Sequence, residues 1–295
     1  MVEAFGQARR RLLLSGTPDR SDRRPVPFVR YNEAGKFVAD HSYDYGQALA
    51  DRQGVVRQIA FPAFDGEARW REASMVESKL RLSDVDEITR ARALSSALLP
   101  DGPWMASVLR EADKELRRQR ELVPDAGGLV VAADQQKAAK YAKTLERICG
   151  QPVALAMSDL PDASQAITDY ANGMGRWLVA VRMVSEGIDI PRLVVGVYAT
   201  NTSTDLFFRQ VAGRFVRTRT PDDESCATLF IPSVQPLLSY AADIERTIPK
   251  ALKEAEERAK REAKDGPSQM EIDMVVPLAA SDAVHLATIM SGESF

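Results

Sequence analysis

The stretch Gln210-Val211-Ala212-Gly213-Arg214-Phe215-Val216-Arg217 holds the most pointed chemistry in this 295-residue chain. On a predicted helix, Arg214 and Arg217 lie three apart and project from one face. Each guanidinium can donate forked hydrogen bonds to phosphate oxygens, so the pair suits a polyphosphate. A solvated helix face is the plain alternative. Upstream, Val184-Ser185-Glu186-Gly187-Ile188-Asp189-Ile190-Pro191 follows a predicted strand. Gly187 lets the backbone come close to a ligand, and Asp189 puts a carboxylate in the loop where a parallel sheet would hold one. A simple strand-connecting turn is the alternative there. Ser15-Gly16-Thr17-Pro18 breaks a short apolar run, Arg11–Leu14, which is expected to be a buried strand. Asp134 stands where a helix N-cap is expected.

A repeating order of elements positions these residues. Strands are predicted at Leu129–Ala133, Val153–Met157, Trp177–Val181, Leu193–Ala199 and Ala227–Ile231. Helices are predicted at Gln136–Ile148, Ala163–Asn172 and Asp205–Arg217. Continuous apolar runs alternating with amphipathic helices mean an α/β fold, a parallel sheet covered on both faces. Upstream, a short helix fits Tyr45–Ala50 and a strand fits Val55–Phe61. A capping box at Ser83 and Asp86 opens a helix toward Leu99, and a further helix covers Trp104–Leu122. Trp177 reads as core. Residues 236–264 carry a helical pattern, ended by Gly266-Pro267-Ser268.

Composition narrows the class. The chain is 45% hydrophobic and 27% charged, with a net charge of −3, as a globular protein would be. That charge argues against binding nucleic acid by charge alone. No apolar run reaches the roughly 18–20 residues that span a bilayer, so no membrane partner is expected. There is no secretory signal pattern, and a cytoplasmic location is expected. The two cysteines, Cys149 and Cys226, and two histidines, His41 and His285, have no metal-like spacing, so no metal site is expected.

Taken in order, Ser15-Gly16-Thr17-Pro18, Gly187-x-Asp189-x-Pro191 and Gln210-x-x-Gly213-Arg214-x-x-Arg217 resemble motifs III, V and VI of superfamily 2 helicases. Leu129–Asp134 is similar to the strand and loop of motif IV. Within that superfamily the wording of residues 177–187 resembles DEAD/DEAH-type helicases related to restriction-enzyme motor subunits. The resemblance covers residues 1–235. It implies two RecA-like lobes sandwiching ATP, with nucleic acid lying across both. Arg214 and Arg217 then match arginine fingers that reach the γ-phosphate. Gln210 matches a residue ordering that phosphate, and Gly187 and Asp189 match the motif V positions near the nucleotide. Ser15 and Thr17 match the motif that couples hydrolysis to lobe movement. Asp134 and Gln135 take the place of a loop that touches a nucleic-acid backbone.

No G-x-x-x-x-G-K-[ST] occurs, since Gly35-Lys36 is followed by Phe37. No DEAH box follows an apolar strand; Asp86-Glu87 and Asp223-Glu224 lie in polar surroundings. The chain is therefore expected to begin just downstream of the catalytic carboxylates. It would be the second RecA-like lobe (residues 55–235), with a first-lobe remnant (1–20), a connector (21–54) and a helical C-terminal appendage (236–295). The implied cofactors are ATP and Mg2+, the ion held by the missing lobe. The implied partners are nucleic acid, DNA favoured over RNA, and a P-loop-containing lobe or subunit. Alone, the chain should not hydrolyse ATP. The rival reading is a non-catalytic binding module derived from a helicase lobe.

Overall fold

The computed structural model describes residues 6–13, 25–33, 35, 37–50, 56–71, 77–157, 163–181, 190–219 and 225–246. The chain divides into two compact units, Met1–Asp44 and Tyr45–Phe295. The first unit holds a small antiparallel ribbon, β1 (Arg30–Tyr31) with β2 (Phe37–Val38), which pairs Arg30 with Val38 and Tyr31 with Phe37. The expected strand at Arg11–Leu14 is not found over residues 11–13. Leu12 is 84% exposed, because an apolar run gains nothing from extended pairing unless a sheet buries it. Leu14 lies outside the described residues.

The second unit is built on a parallel sheet. Its elements are α1 (Tyr45–Ala50), β3 (Ile59–Ala60), β4 (Ala63–Phe64), β5 (Glu67–Arg71), β6 (Glu77–Arg81), α2 (Arg90–Ala97), α3 (Pro103–Leu122), β7 (Gly127–Ala132), α4 (Gln135–Cys149), β8 (Ala154–Ala156), α5 (Ala163–Asn172), β9 (Trp177–Val181), β10 (Leu193–Ala199), α6 (Asp205–Ala212) and β11 (Ala227–Pro232). Residues 235–246 are also helical. The strand order is β3-β11-β10-β7-β9-β8, with β4 also on β11, and every neighbouring pair in this sheet is parallel. The path steps from β7 outward to β8, back to β9, then across to β10 and β11. Right-handed crossovers place helices on opposite faces when the direction of travel reverses. Hence α4 covers one face, and α5 and α6 cover the other.

β7, β10 and β11 are buried along their whole length, which is why they appear in sequence as unbroken apolar runs. Trp177 is fully buried, and its indole N–H donates to Asp113 Oδ1 at 2.9 Å. The ring lies close against β7, where a Cβ at Gly128 would stand 2.4 Å from it. Trp177 is therefore core.

Three expected elements differ. The helix expected from Ser83 to Leu99 is only Arg90–Ala97. Asp86 accepts from the Thr89 amide at 2.8 Å and the Thr89 hydroxyl at 2.6 Å, closing a turn of its own. The Ser83 hydroxyl meanwhile donates to Asp65, so the box never forms. The strand expected at Val55–Phe61 is reduced to β3 and continued by β4, with Pro62 between them supplying no N–H. The helix expected over Asp205–Arg217 stops at Ala212. An antiparallel ribbon, β5 on β6, stands where no strand is expected from sequence.

Candidate functional site

The early end of α6 is set by one aromatic side chain. Phe208, Val211 and Ala212 are buried on the inner face of the helix. If the helix continued, Phe215 would follow that stripe. Instead the chain tightens, with Gly213 N donating to Arg209 O at 2.8 Å, Arg214 N to Val211 O at 3.0 Å and Phe215 N to Ala212 O at 3.0 Å. This drops the Phe215 ring, fully buried, into the slot over Gly196 on β10. A Cβ at Gly196 would sit 2.4 Å from that ring, so the strand needs glycine there. Arg217 then forms an isolated antiparallel bridge with Val56.

Arg214 and Arg217 consequently do not share the helix face on which a 3.6-residue period would place them. Arg214 sits in the turn after α6 and Arg217 in the β-bridge, both half-buried and both within one short segment. Gln210 is half-buried in the last turn of α6. Gly187 and Asp189, like Ser15 and Thr17, lie outside the described residues. The structure resumes at Ile190, buried, whose carbonyl accepts from Leu193 N at 3.1 Å and so turns the chain into β10. Asp134 is the N-cap of α4 and accepts from Lys137 N at 2.8 Å. Gln135, half-buried, opens the helix beside it.

What sequence reasoning missed is Arg57. It stands inside Val55-Val56-Arg57-Gln58-Ile59-Ala60-Phe61 and is 3% exposed. Its Nη1 donates to Ser225 Oγ at 2.7 Å. Its Nη2 donates to the Pro191 carbonyl at 2.9 Å and to the Arg217 carbonyl. Its own amide donates to Val216 O at 2.7 Å, and its carbonyl accepts from the Tyr45 hydroxyl at 2.8 Å. The segment ending at Pro191 and the segment ending at Arg217 therefore meet at one buried side chain. An arginine within an apolar run was the available signal.

A second arginine cluster supports the amino ends of the central strands. Arg192 is 4% exposed. It donates to the carbonyls of Tyr170, Gly175 and Asp125, and its guanidinium lies 3.9 Å over the Tyr170 ring. Burial pulls the Arg192 pKa below its usual value. Arg176 and Arg117 both pair with buried Asp113. At the surface beside them, Arg219 Nη1 reaches both Asp125 oxygens at 2.6 Å. That hydrogen bond is the main cause holding the Asp125 carboxyl below its usual range, against a smaller upward push from burial. Among the described residues no group of His, Cys, Asp and Glu could hold a metal ion, and no helix is long and apolar enough to cross a membrane.

Comparison with known proteins adds the following. No family model matches the chain. It is 50% identical over 248 residues to an uncharacterized protein of Mycobacterium tuberculosis (strain CDC 1551 / Oshkosh), covering 82% of this chain and 40% of that protein. It is 48% identical over 248 residues to an uncharacterized protein of Mycobacterium leprae, covering 82% of this chain and 41% of that one. The chain thus spans about 40% of the length of the curated relatives it matches. Among solved structures, a fragment of a putative HsdR subunit of a type I restriction enzyme from Vibrio vulnificus is similar at TM-score 0.43 and 14% identity, covering 63% of this chain and 33% of that one. Mss116p DEAD-box helicase domain 2, bound to an RNA duplex, is similar at TM-score 0.37 and 14% identity, covering 48% of this chain and 56% of that one.

Proposed function

We propose that this chain is the C-terminal part of an ATP-dependent nucleic-acid helicase or translocase, a RecA-like lobe that supplies arginines to a nucleotide held mainly by another, P-loop-bearing lobe. The observation that carries this reading is the junction at Arg57. There the stretch whose sequence contains Gly187 and Asp189 meets the stretch that contains Gln210, Arg214 and Arg217. Two separate motif-like segments are joined there by one side chain that lies far from both in sequence, as a composite phosphate site requires.

In this reading Arg214 and Arg217 stabilise charge on the γ-phosphate oxygens, and Gln210 orders the same region. Asp189 lies near the nucleotide, and Gly187 admits the backbone to it. ATP, when bound, supplies the phosphoryl group whose transfer drives movement. The residues present fit its phosphate end alone. Mg2+ and the β-phosphate fall to the other lobe, because no P-loop or DEAH sequence occurs here. Ser15 and Thr17 couple hydrolysis to movement, and Asp134 and Gln135 face the backbone of a nucleic acid, with DNA favoured over RNA. Residues 1–20 are then a first-lobe remnant, 21–54 a connector, 55–235 the lobe and 236–295 an appendage. A cytoplasmic location goes with this role.

The test supplies a P-loop/DEAH lobe, as a separate polypeptide or fused ahead of residue 1, and measures ATP hydrolysis with single-stranded DNA. The pair should turn over ATP and the chain alone should not. Arg214→Ala or Arg217→Ala should each lower the rate on the order of 10³-fold or more, and lysine should rescue poorly because it lacks the planar fork. Alanine variants within about threefold of the parent, a barrier change under ~0.7 kcal/mol, would sink the assignment. DNA binding by the chain with no turnover by the pair would favour the binding-module reading instead.

A further inference from the structure

We infer that Arg57 is a positioning residue for the arginine-bearing turn at 213–217, locking it to the backbone at Pro191; the mechanistic part of this inference rests on the helicase reading above. The geometry is specific to the task. One nitrogen, Nη2, donates to carbonyls of two different segments, those of Pro191 and Arg217, while Nη1 holds Ser225 at 2.7 Å. From the other side, the Arg57 amide holds the Val216 carbonyl at 2.7 Å, and Val56 bridges Arg217. Main chain and side chain together grip positions 216 and 217. Only a planar fork presents donors toward three acceptors in this way, whereas a lysine ammonium is a point charge.

A role in general stability alone would look different. Arg192 shows what that role looks like, since its acceptors are the carbonyls of Asp125, Tyr170 and Gly175 at the approaches to the strands. Two of Arg57's acceptors belong to the candidate site itself. Transition-state arginines tolerate little displacement, a misplacement of about 1 Å being enough to lower a rate by on the order of 10²-fold. A residue that sets the backbone at Arg217 therefore sets catalysis without touching the nucleotide.

The experiment compares the chain with its Arg57→Lys variant by amide hydrogen exchange, and then repeats the comparison as ATP turnover with the P-loop lobe supplied. Exchange of the amides at 214–218 should rise about tenfold or more, the effect of one or two lost charge-assisted hydrogen bonds. Exchange at Leu129–Val131 in β7 should stay within about twofold, since local opening leaves the core untouched. In the turnover assay kcat should fall about tenfold or more with KM for ATP within about threefold, the mark of an interaction felt in the transition state. Unchanged exchange at 214–218, or an equal rise in β7, would overturn the inference. A parent pair that does not hydrolyse ATP sinks the helicase reading, while the exchange result still decides whether Arg57 holds the turn. Should Arg57→Lys fail to fold, Tyr45→Phe decides. It frees the Arg57 carbonyl, and it must raise exchange at 214–218 about threefold with β7 unchanged; no such rise overturns the inference.

Discussion

Arg57 and Arg192 apply one device in two places. Each is buried to within a few percent, and each donates from its guanidinium to backbone carbonyls of more than one segment. Around Arg192 the carbonyls belong to Asp125, Tyr170 and Gly175. Nearby, Trp177 and Arg176 both donate to buried Asp113, so the cluster is a foundation for β7, β9 and β10. Around Arg57 two of the acceptors lie on segments whose sequences carry polar, phosphate-suited residues. The difference teaches that burial and hydrogen bonding alone do not separate fold from function. The identity of the segments being joined does.

The largest effect that would sharpen this contrast is expected at the foundation. Arg192→Met should lower unfolding stability by about 3–5 kcal/mol, because it removes the charge-assisted hydrogen bonds to three carbonyls at once and strands the buried one of Tyr170. Urea titration of the chain checks this, and a loss under ~1 kcal/mol would erase the distinction drawn between the two arginines. Next come the two glycines under aromatic rings. Gly128→Ala and Gly196→Ala should each cost about 1–3 kcal/mol by overpacking. Only Gly196→Ala should also speed amide exchange at 213–217, since it pushes against Phe215. Equal local responses from both would merge the two regions.

How far these regions can be read in sequence follows from where their partners lie. Leu193–Ala199 and Trp177–Val181 are legible to the residue, because a strand buried on both faces is written as an unbroken apolar run. The helix carrying Gln210 is legible only at its start. Val211, Phe215 and Val216 continue the apolar spacing, so periodicity extends the helix to Arg217. A slot on β10 above Gly196 instead ends it at Ala212. Glu67–Arg71 and Glu77–Arg81 hide as strands because charged residues dominate both. Arg57 hides for another reason, its Pro191 and Ser225 partners being 134 and 168 positions away.

Two smaller effects test the margins of the comparison. Asp134→Ala should cost about 1 kcal/mol through loss of the α4 cap. If Asp134 also faces nucleic acid, the same variant should weaken or strengthen single-stranded DNA binding by the reconstituted pair; unchanged binding would leave the cap as its whole role. The smallest effect concerns Asp125, whose folded pKa is depressed chiefly by its hydrogen bond with Arg219. A depressed carboxyl stabilises the fold above its ordinary pKa near ~3.9 and loses that contribution as pH falls through the lower, folded value. Arg219→Ala should therefore destabilise by under about 1 kcal/mol at pH 7, since the pair is partly exposed. That difference should shrink below about pH 4, and a gap that widens in acid would refute it.

The margins of the sheet carry a consequence of their own. One outer strand, β8, is three residues long, and the other margin is two dipeptides, β3 and β4, split by Pro62. Short or proline-broken margins offer few free N–H and C=O groups to an incoming chain, which is how sheets resist recruiting foreign strands. On the function proposed above, a companion lobe would then have to dock through loops and side chains, by contacts it can make and release, and not by zipping onto the sheet as an added strand.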